Sequence, residues 1–109
     1  MTGTWKTIDL AGHAVDVFMP EEPREDVVLL VLPDHGGRAI DDAVLAEALE
    51  RFHVSAVAPA GKDCWWLDQV EPAFEPDLPP LRFLTGHVVP WIEARFGVTP
   101  PNVKLLGWG

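Results

Sequence analysis

The chain has 109 residues, of which 48% are hydrophobic and 23% are charged, and this balance is typical of one globular domain and excludes a disordered segment. The formal net charge of −9 excludes the basic surface that binding to nucleic acid or to an anionic membrane requires. The sequence shows neither a membrane-spanning run nor a signal-peptide core, and its one cysteine, Cys64, excludes an internal disulfide, so we expect a cytoplasmic protein.

The N-terminal residues predict a β-hairpin at an edge of a sheet. Residues in His13–Met19 alternate with the period of two that is typical of strands, and Thr4–Leu10 forms its partner across Ala11-Gly12. Residues 20–26 are acidic and include two prolines, which indicates a surface connection.

The next segments predict parallel strands separated by helices. Residues 27–32 are apolar throughout, which is typical of a central strand that is covered on both faces. Residues 54–58 and 103–106 predict two strands parallel to it, joined through helices over 41–52 and 79–96. We therefore expect an α/β fold, a three-layer sandwich with a mostly parallel sheet and the N-terminal hairpin.

Each predicted helix carries one apolar face. The faces consist of Leu45, Ala48, Leu49 and Phe52 in the first helix, and of Leu81, Leu84, Val88, Trp91 or Ile92, and Phe96 in the second. Pro90 lies inside the second helix, where it removes a backbone hydrogen bond and predicts a kink. Gly97 is expected to cap the end of that helix.

The last residues predict a strand that runs into a glycine turn. In the pattern G-x-S-x-G, a sharp turn after a strand exposes a nucleophilic serine. Gly107 matches the first glycine of this pattern, Trp108 follows it, and Gly109 occupies the position of the serine. The only serine of the chain, Ser55, falls within a predicted strand and is not a candidate nucleophile.

The order of these parts resembles the N-terminal half of the esterase branch of the α/β-hydrolase superfamily. The resemblance covers nearly the whole chain and is carried by LLVLPDHGG, VAPAGKDCWWLD and HVVPWIEARFGVTPPNVKLLGWG. It implies that residues 1–109 form the N-terminal part of a single, incomplete α/β-hydrolase domain from a carboxylic ester hydrolase. In that family the nucleophile stands where this chain has Gly109, and the acid and the histidine follow it. The chain alone is therefore predicted to be inactive, and whether the complete protein is an enzyme depends on its remaining residues.

The resemblance also implies site residues. The backbone N–H of Gly37 or Arg38 would provide one donor to an oxyanion, whereas an ordinary strand-to-helix turn is the alternative for this segment. Trp65 and Trp66, on the long loop over 59–78, and Trp108 are expected to line the pocket for a small-molecule ester. Alternatively, Trp65 and Trp66 cover the core beneath that loop.

Two other functions stay open. A glycine at the nucleophile position fits a non-catalytic, hydrolase-like binding protein. Gly107-Trp108-Gly109 could instead open the dinucleotide pattern G-x-G-x-x-G, although that pattern normally follows the first strand of its domain. No cofactor and no metal are expected, because neither the four histidines nor the acidic residues of the long loop have ligand spacing.

Overall fold

The described residues of the computed structural model, 3–33, 43–60 and 80–108, form a five-stranded sheet with helices on both faces. The strand order is β1-β2-β4-β3-β5. The strands are β1 (Thr4–Leu10), β2 (His13–Met19), β3 (Val28–Pro33), β4 (Ser55–Pro59) and β5 (Val103–Trp108). The helical segments are α1 (Ala43–Phe52), α2 (Pro80–Phe83), a π-helical turn (Leu84–Val88), α3 (Val89–Phe96) and a 3₁₀ turn (Pro100–Asn102).

The predicted fold class, a mostly parallel three-layer α/β sandwich, is wrong. The sheet is mixed, because β1–β2 and β2–β4 pair antiparallel while β4–β3 and β3–β5 pair parallel. The predicted hairpin and the three parallel strands are present, but the hairpin is not a minor appendage. Its second strand pairs along β4 from Val15↔Pro59 to Phe18↔Ala56, so antiparallel pairing makes up half of the sheet. The described chain is an α+β domain.

The hairpin turn is tight because both of its central residues adopt left-handed backbone. Ala11 has φ 51° and Gly12 has φ 85°, and two positive values are what a two-residue type I′ turn requires. The Asp9 carboxylate accepts a hydrogen bond of 3.0 Å from the Gly12 N–H. This turn fixes the register of the hairpin from Leu10↔His13 to Thr4↔Met19.

Strand β3 lies between β4 and β5 and is buried on both faces, as its apolar sequence predicts. Leu30 packs into a core with the α2, π-helical and α3 residues, whereas Val31 packs into a second core with Leu45 and Leu49 of α1. The alternation of side chains along a strand thus divides the interior into two layers, one on each side of the sheet.

The second helical segment accommodates Pro90 by widening the preceding turn. In the π-helical turn the N–H of Val89 donates to the carbonyl of Leu84, five residues earlier. A π turn just before the proline relieves the clash that its ring would make in a regular α-helix. The segment ends at Gly97, which has φ 73° and donates to the Glu93 carbonyl at 2.9 Å, so the predicted cap is confirmed.

The predicted helix faces are correct only in part. Leu84, Val88 and Ile92 are buried as expected, but Leu81 is exposed, and the fully buried residues of α2 are Pro80 and Phe83. The π turn holds extra backbone, so the residues before it are rotated relative to a regular α-helical face. In α1 the residues Leu45 and Leu49 are buried, whereas Ala48 and Phe52 of the same predicted face are exposed.

Candidate functional site

The carboxyl ends of the three parallel strands lie along one end of the sheet. Strands β4 and β5 flank β3, and the final pair of the β3–β5 register is Pro33↔Trp108. Because neighbouring strands lie about 4.8 Å apart, the carboxyl ends of β4 and β5 are separated by roughly 10 Å. The segments that carry the predicted site follow these ends in the chain, residues 34–42 after β3, 61–79 after β4 and residue 109 after β5.

Most predicted site residues lie outside the described residues. This holds for the oxyanion donors Gly37 and Arg38, the pocket residues Trp65 and Trp66, and the nucleophile position Gly109. Of Trp108 the structure describes the backbone, which forms the last residue of β5.

The sequence analysis did not identify a buried carboxylate near these carboxyl ends. The pairing Val15↔Pro59 brings the start of β2 beside the carboxyl end of β4, and Asp16 there has no exposed surface. Its Oδ1 accepts a hydrogen bond of 2.7 Å from the Thr7 hydroxyl. The detectable signal was an aspartate between apolar residues in a strand, opposite a threonine of the partner strand.

A histidine also lies near these carboxyl ends, on the other face of the sheet. His13 is 5% exposed, and its ring centroid is 4.7 Å from that of Phe83, which in turn is 5.8 Å from that of His87. The sequence predicts no common role for these two histidines, but the fold places both against one phenyl ring. Since residues 13 and 16 of a strand point to opposite faces, His13 and Asp16 do not form an acid–base pair.

The remaining candidate groups are a serine far from these carboxyl ends and the side chains that could bind a metal. Ser55 is 1% exposed and is the first residue of β4, at the opposite end of the parallel strands, where its hydroxyl donates to the Met19 sulfur at 3.7 Å. Its rejection as a nucleophile therefore agrees with its position. Within the described part of the chain, no three histidine, cysteine, aspartate or glutamate side chains come together in an arrangement that could hold a metal.

The backbone at Gly107 bears on the dinucleotide alternative. The first glycine of G-x-G-x-x-G makes the tight turn that follows a strand. Here Gly107 is paired with Leu32 inside the β3–β5 ladder, and the strand continues through Trp108. This position disfavours a phosphate-binding turn, and it leaves residue 109 as the first residue after the strand.

The chain matches no protein-family model, and no curated protein matches it. No helix in the described ranges is long and apolar enough to cross a membrane.

Proposed function

We propose that residues 1–109 supply the oxyanion-binding and nucleophile-turn segments of a carboxylic ester hydrolase that acts on a small-molecule ester in the cytoplasm. The family is the esterase family whose motif order the chain resembles. The observation that carries the proposal is the direct pairing of β3 with β5 up to Pro33↔Trp108. The mixed sheet gives no support of its own, because the proposal depends only on these two neighbouring parallel strands.

Acyl transfer needs a nucleophile, a base that takes its proton, and donors for the developing oxyanion. Oxyanion and nucleophile are attached to one carbon in the tetrahedral intermediate, so their protein partners must stand within a few ångströms of each other. The segment with Gly36, Gly37 and Arg38 follows β3, and position 109 follows β5, its neighbour in the sheet. This adjacency supports a shared role for the two segments.

These 109 residues hold no hydroxyl nucleophile at the turn. Position 109 is glycine, and Ser55 is buried at the far end of β4. We therefore expect no ester hydrolysis by residues 1–109 alone, with glycine or with serine at position 109, because an unassisted hydroxyl is a weak nucleophile.

The test compares four proteins: the chain and a longer protein that continues past Gly109 with an acid and a histidine, each with the natural glycine and with Gly109→Ser. Turnover of 4-nitrophenyl acetate is measured at fixed protein concentration. Only the longer Gly109→Ser protein is expected to exceed background. Equal turnover by both longer proteins would remove position 109 from the role of nucleophile.

The oxyanion segment is tested separately in the active protein. Proline at 37 or 38 deletes one backbone N–H, whereas alanine at the same position keeps it. We expect Gly37→Pro or Arg38→Pro to lower kcat by roughly 10²–10³-fold with little change in KM, which is typical of a lost oxyanion donor. Gly37→Ala and Arg38→Ala are the matched controls, and a similar loss in the alanine variants would indicate disturbed folding of the segment.

A non-catalytic binding protein is the second candidate, and the glycine at the nucleophile position favours it. In this case the longer glycine protein binds a non-hydrolysable ester analogue, such as a phosphonate, without turning over the ester. Calorimetric titration with the analogue distinguishes the two functions. If the longer protein binds the analogue, and its Gly109→Ser variant still does not hydrolyse the ester, the result supports the binding role.

A further inference from the structure

Strand β5 is an edge strand of the described sheet, and both of its faces adjoin apolar grooves. On the α1 face a groove of about 400 Å³ is lined by residues that include Val44, Phe52 and Leu106. On the opposite face a groove of about 270 Å³ is lined by residues that include Leu81 and Leu105. The core therefore continues past β3 on both sides of β5 without being covered by the described residues.

The exposed large hydrophobic side chains of the described residues all belong to these two grooves. They are Val44 (69% exposed), Phe52 (62%), Leu81 (39%) and Leu105 (68%). Together they expose on the order of 400 Å² of apolar surface, divided between the two faces of the sheet beside β5, and a partner added at this edge would cover both parts. We call this set, with the edge of β5 that pairs with no described strand, the β5 patch.

Charge identifies a partner that fits the β5 patch. The chain contains 17 aspartate and glutamate residues, but neither groove is lined by any of them, and the one charged residue in the linings is Lys104. Lys104 is turned back along its own chain, since its Nζ donates to the Pro101 carbonyl at 2.9 Å. Two copies can thus meet here without bringing acidic side chains together, despite a net charge of −9 each.

We propose that β5 of residues 1–109 pairs antiparallel with β5 of a second copy, which joins the two sheets across a two-fold axis. This proposal does not rest on the proposed function, in whose longer protein further residues would compete for the same edge. An antiparallel strand pair is two-fold symmetric, so one strand edge is complementary to its own copy. The pairing satisfies the outer backbone groups of β5 and brings Leu105 against the partner strand. Two β5 patches with their strand edges bury roughly 1,000 Å² in total, which is the size of a weak or transient interface.

The opposite edge of the sheet provides the control. On β1 the exposed side chains are polar, and Thr4, like Leu105, is an exposed residue of an outer strand. Leu105→Lys places a charge in the proposed interface, and Thr4→Lys adds the same charge at the other edge. Each substitution reduces the net negative charge by one, so a difference between the two variants reflects the location and not the overall repulsion.

The experiment measures molar mass by light scattering and by sedimentation equilibrium between about 1 and 100 μM. The natural chain and Thr4→Lys are expected to form dimers with the same Kd, and Leu105→Lys is expected to raise this Kd at least about tenfold because it buries an unpaired charge. Circular dichroism of Leu105→Lys checks that the variant is folded, which we expect because Leu105 is exposed. For the natural chain the dimer fraction should rise between about 0.02 and 0.3 M salt, since screening weakens the repulsion between two acidic copies.

Three outcomes overturn the proposal. These are a natural chain that stays monomeric over the whole concentration range, open-ended assembly beyond the dimer, or equal dimerisation of Leu105→Lys and Thr4→Lys. If Leu105→Lys proves unfolded, Val44→Lys, at an exposed residue of the other groove, and the salt dependence of the natural chain decide the question. A dimer fraction that falls with added salt also contradicts association at an acid-free apolar patch.

Discussion

The two outer strands of the sheet, β1 and β5, differ in the side chains that they expose. On the β1 edge the outward residues Thr4, Lys6 and Asp9 are polar, while Ile8 and Leu10 pack against the core. On the β5 edge Leu105 is 68% exposed, and apolar grooves lie on both faces. Charged and polar residues on an outer strand prevent pairing with other chains, whereas a bare apolar edge promotes it.

The difference follows from how each edge is connected. The hairpin finds its partners nearby in sequence, as in the Thr7–Asp16 hydrogen bond and the edge-to-face contact of Trp5 with Phe18 at 5.2 Å. Among the described residues the parallel strand β5 pairs only with β3, far away in the chain, and further elements are needed to cover its other side. An antiparallel end of a mixed sheet can thus be completed by local contacts, and a parallel end requires distant or external ones.

Phe83 and Leu81 test this comparison most strongly, because one anchors the hairpin side and the other lines the groove beside β5. Phe83 has no exposed surface and packs against His13, so Phe83→Ala should lower the free energy of unfolding by about 3–5 kcal/mol. Leu81 is 39% exposed, and Leu81→Ala should cost less than about 1 kcal/mol. Urea denaturation of both variants measures the difference, and equal losses would mean that the β5 side is packed as well as the hairpin side.

Gly3 tests how the β1 edge is held. A Cβ atom at this position would lie 2.5 Å from the Met19 carbonyl oxygen and 2.6 Å from the Pro20 Cα, both of them backbone atoms. The Gly3 N–H also donates to the Glu50 carboxylate at 2.7 Å. We expect Gly3→Ala to destabilise the protein by about 1–3 kcal/mol, because the start of β1 must move away.

Gly86 is the matched control for that substitution. It lies in the π-helical turn, and a Cβ atom there would meet nothing within 4 Å. Gly86→Ala should therefore stabilise the protein by about 0.5–1 kcal/mol, since alanine restricts the unfolded chain more than glycine does. Thermal unfolding of the two alanine variants should shift the midpoint in opposite directions, and a loss at Gly86 would show that the π turn requires glycine.

The sequence predicted the elements better than their combination. Apolar runs and turn residues located the hairpin, the three parallel strands and the Gly97 cap, because these depend on local periodicity and on backbone preference. The predicted share of parallel strand pairing was too high, since no local sequence pattern shows that β2 pairs with β4. A register between strands 40 residues apart is decided by packing, which a single sequence does not display.

The predictions of the buried helix faces and of the site residues were incomplete for related reasons. An apolar stripe such as Leu45, Ala48, Leu49 and Phe52 predicts which residues can be buried, but the burial of Phe52 depends on what covers β5. Phe83 was missed because a π turn changes the helical period that the prediction assumed. For the site, the sequence indicated the edge where parallel strands end, but not the buried Asp16, since polar residues inside strands usually face solvent.

The hairpin turn offers a smaller, stabilising change on the β1 side. Ala11 has φ 51°, a conformation that costs an alanine about 1 kcal/mol and that asparagine and glycine adopt more readily. Ala11→Asn should raise the free energy of unfolding by about 0.5–1 kcal/mol without changing the core. Ala11→Val is the opposing control, because a β-branched residue at positive φ is strained. Equal midpoints for both variants would show that the turn does not limit hairpin stability.

The smallest effect is expected from the ion pair on the connection between the hairpin and β3. Arg24 Nε and Nη2 donate to the two Asp26 carboxylate oxygens at 3.2 Å each, and this hydrogen bonding holds the pKa of Asp26 below its ordinary value. A carboxyl whose pKa is lower in the folded state stabilises that state above its ordinary pKa, and the contribution disappears as the pH falls through the folded-state value. Both side chains are more than half exposed, so solvent and salt screen the pair.

Asp26→Asn should therefore lower stability slightly near neutral pH and low salt, and the difference from the natural chain should shrink as the pH falls below the ordinary pKa of an aspartate. The connection does not depend on this pair, because the Arg24 N–H also donates to the His53 carbonyl at 2.8 Å, which asparagine at 26 leaves intact. Urea denaturation of both proteins between about pH 3 and 7 measures the difference. A loss at pH 7 as large as that of Gly3→Ala would mean that the link between the two halves of the sheet, and not the packing at its edges, controls stability.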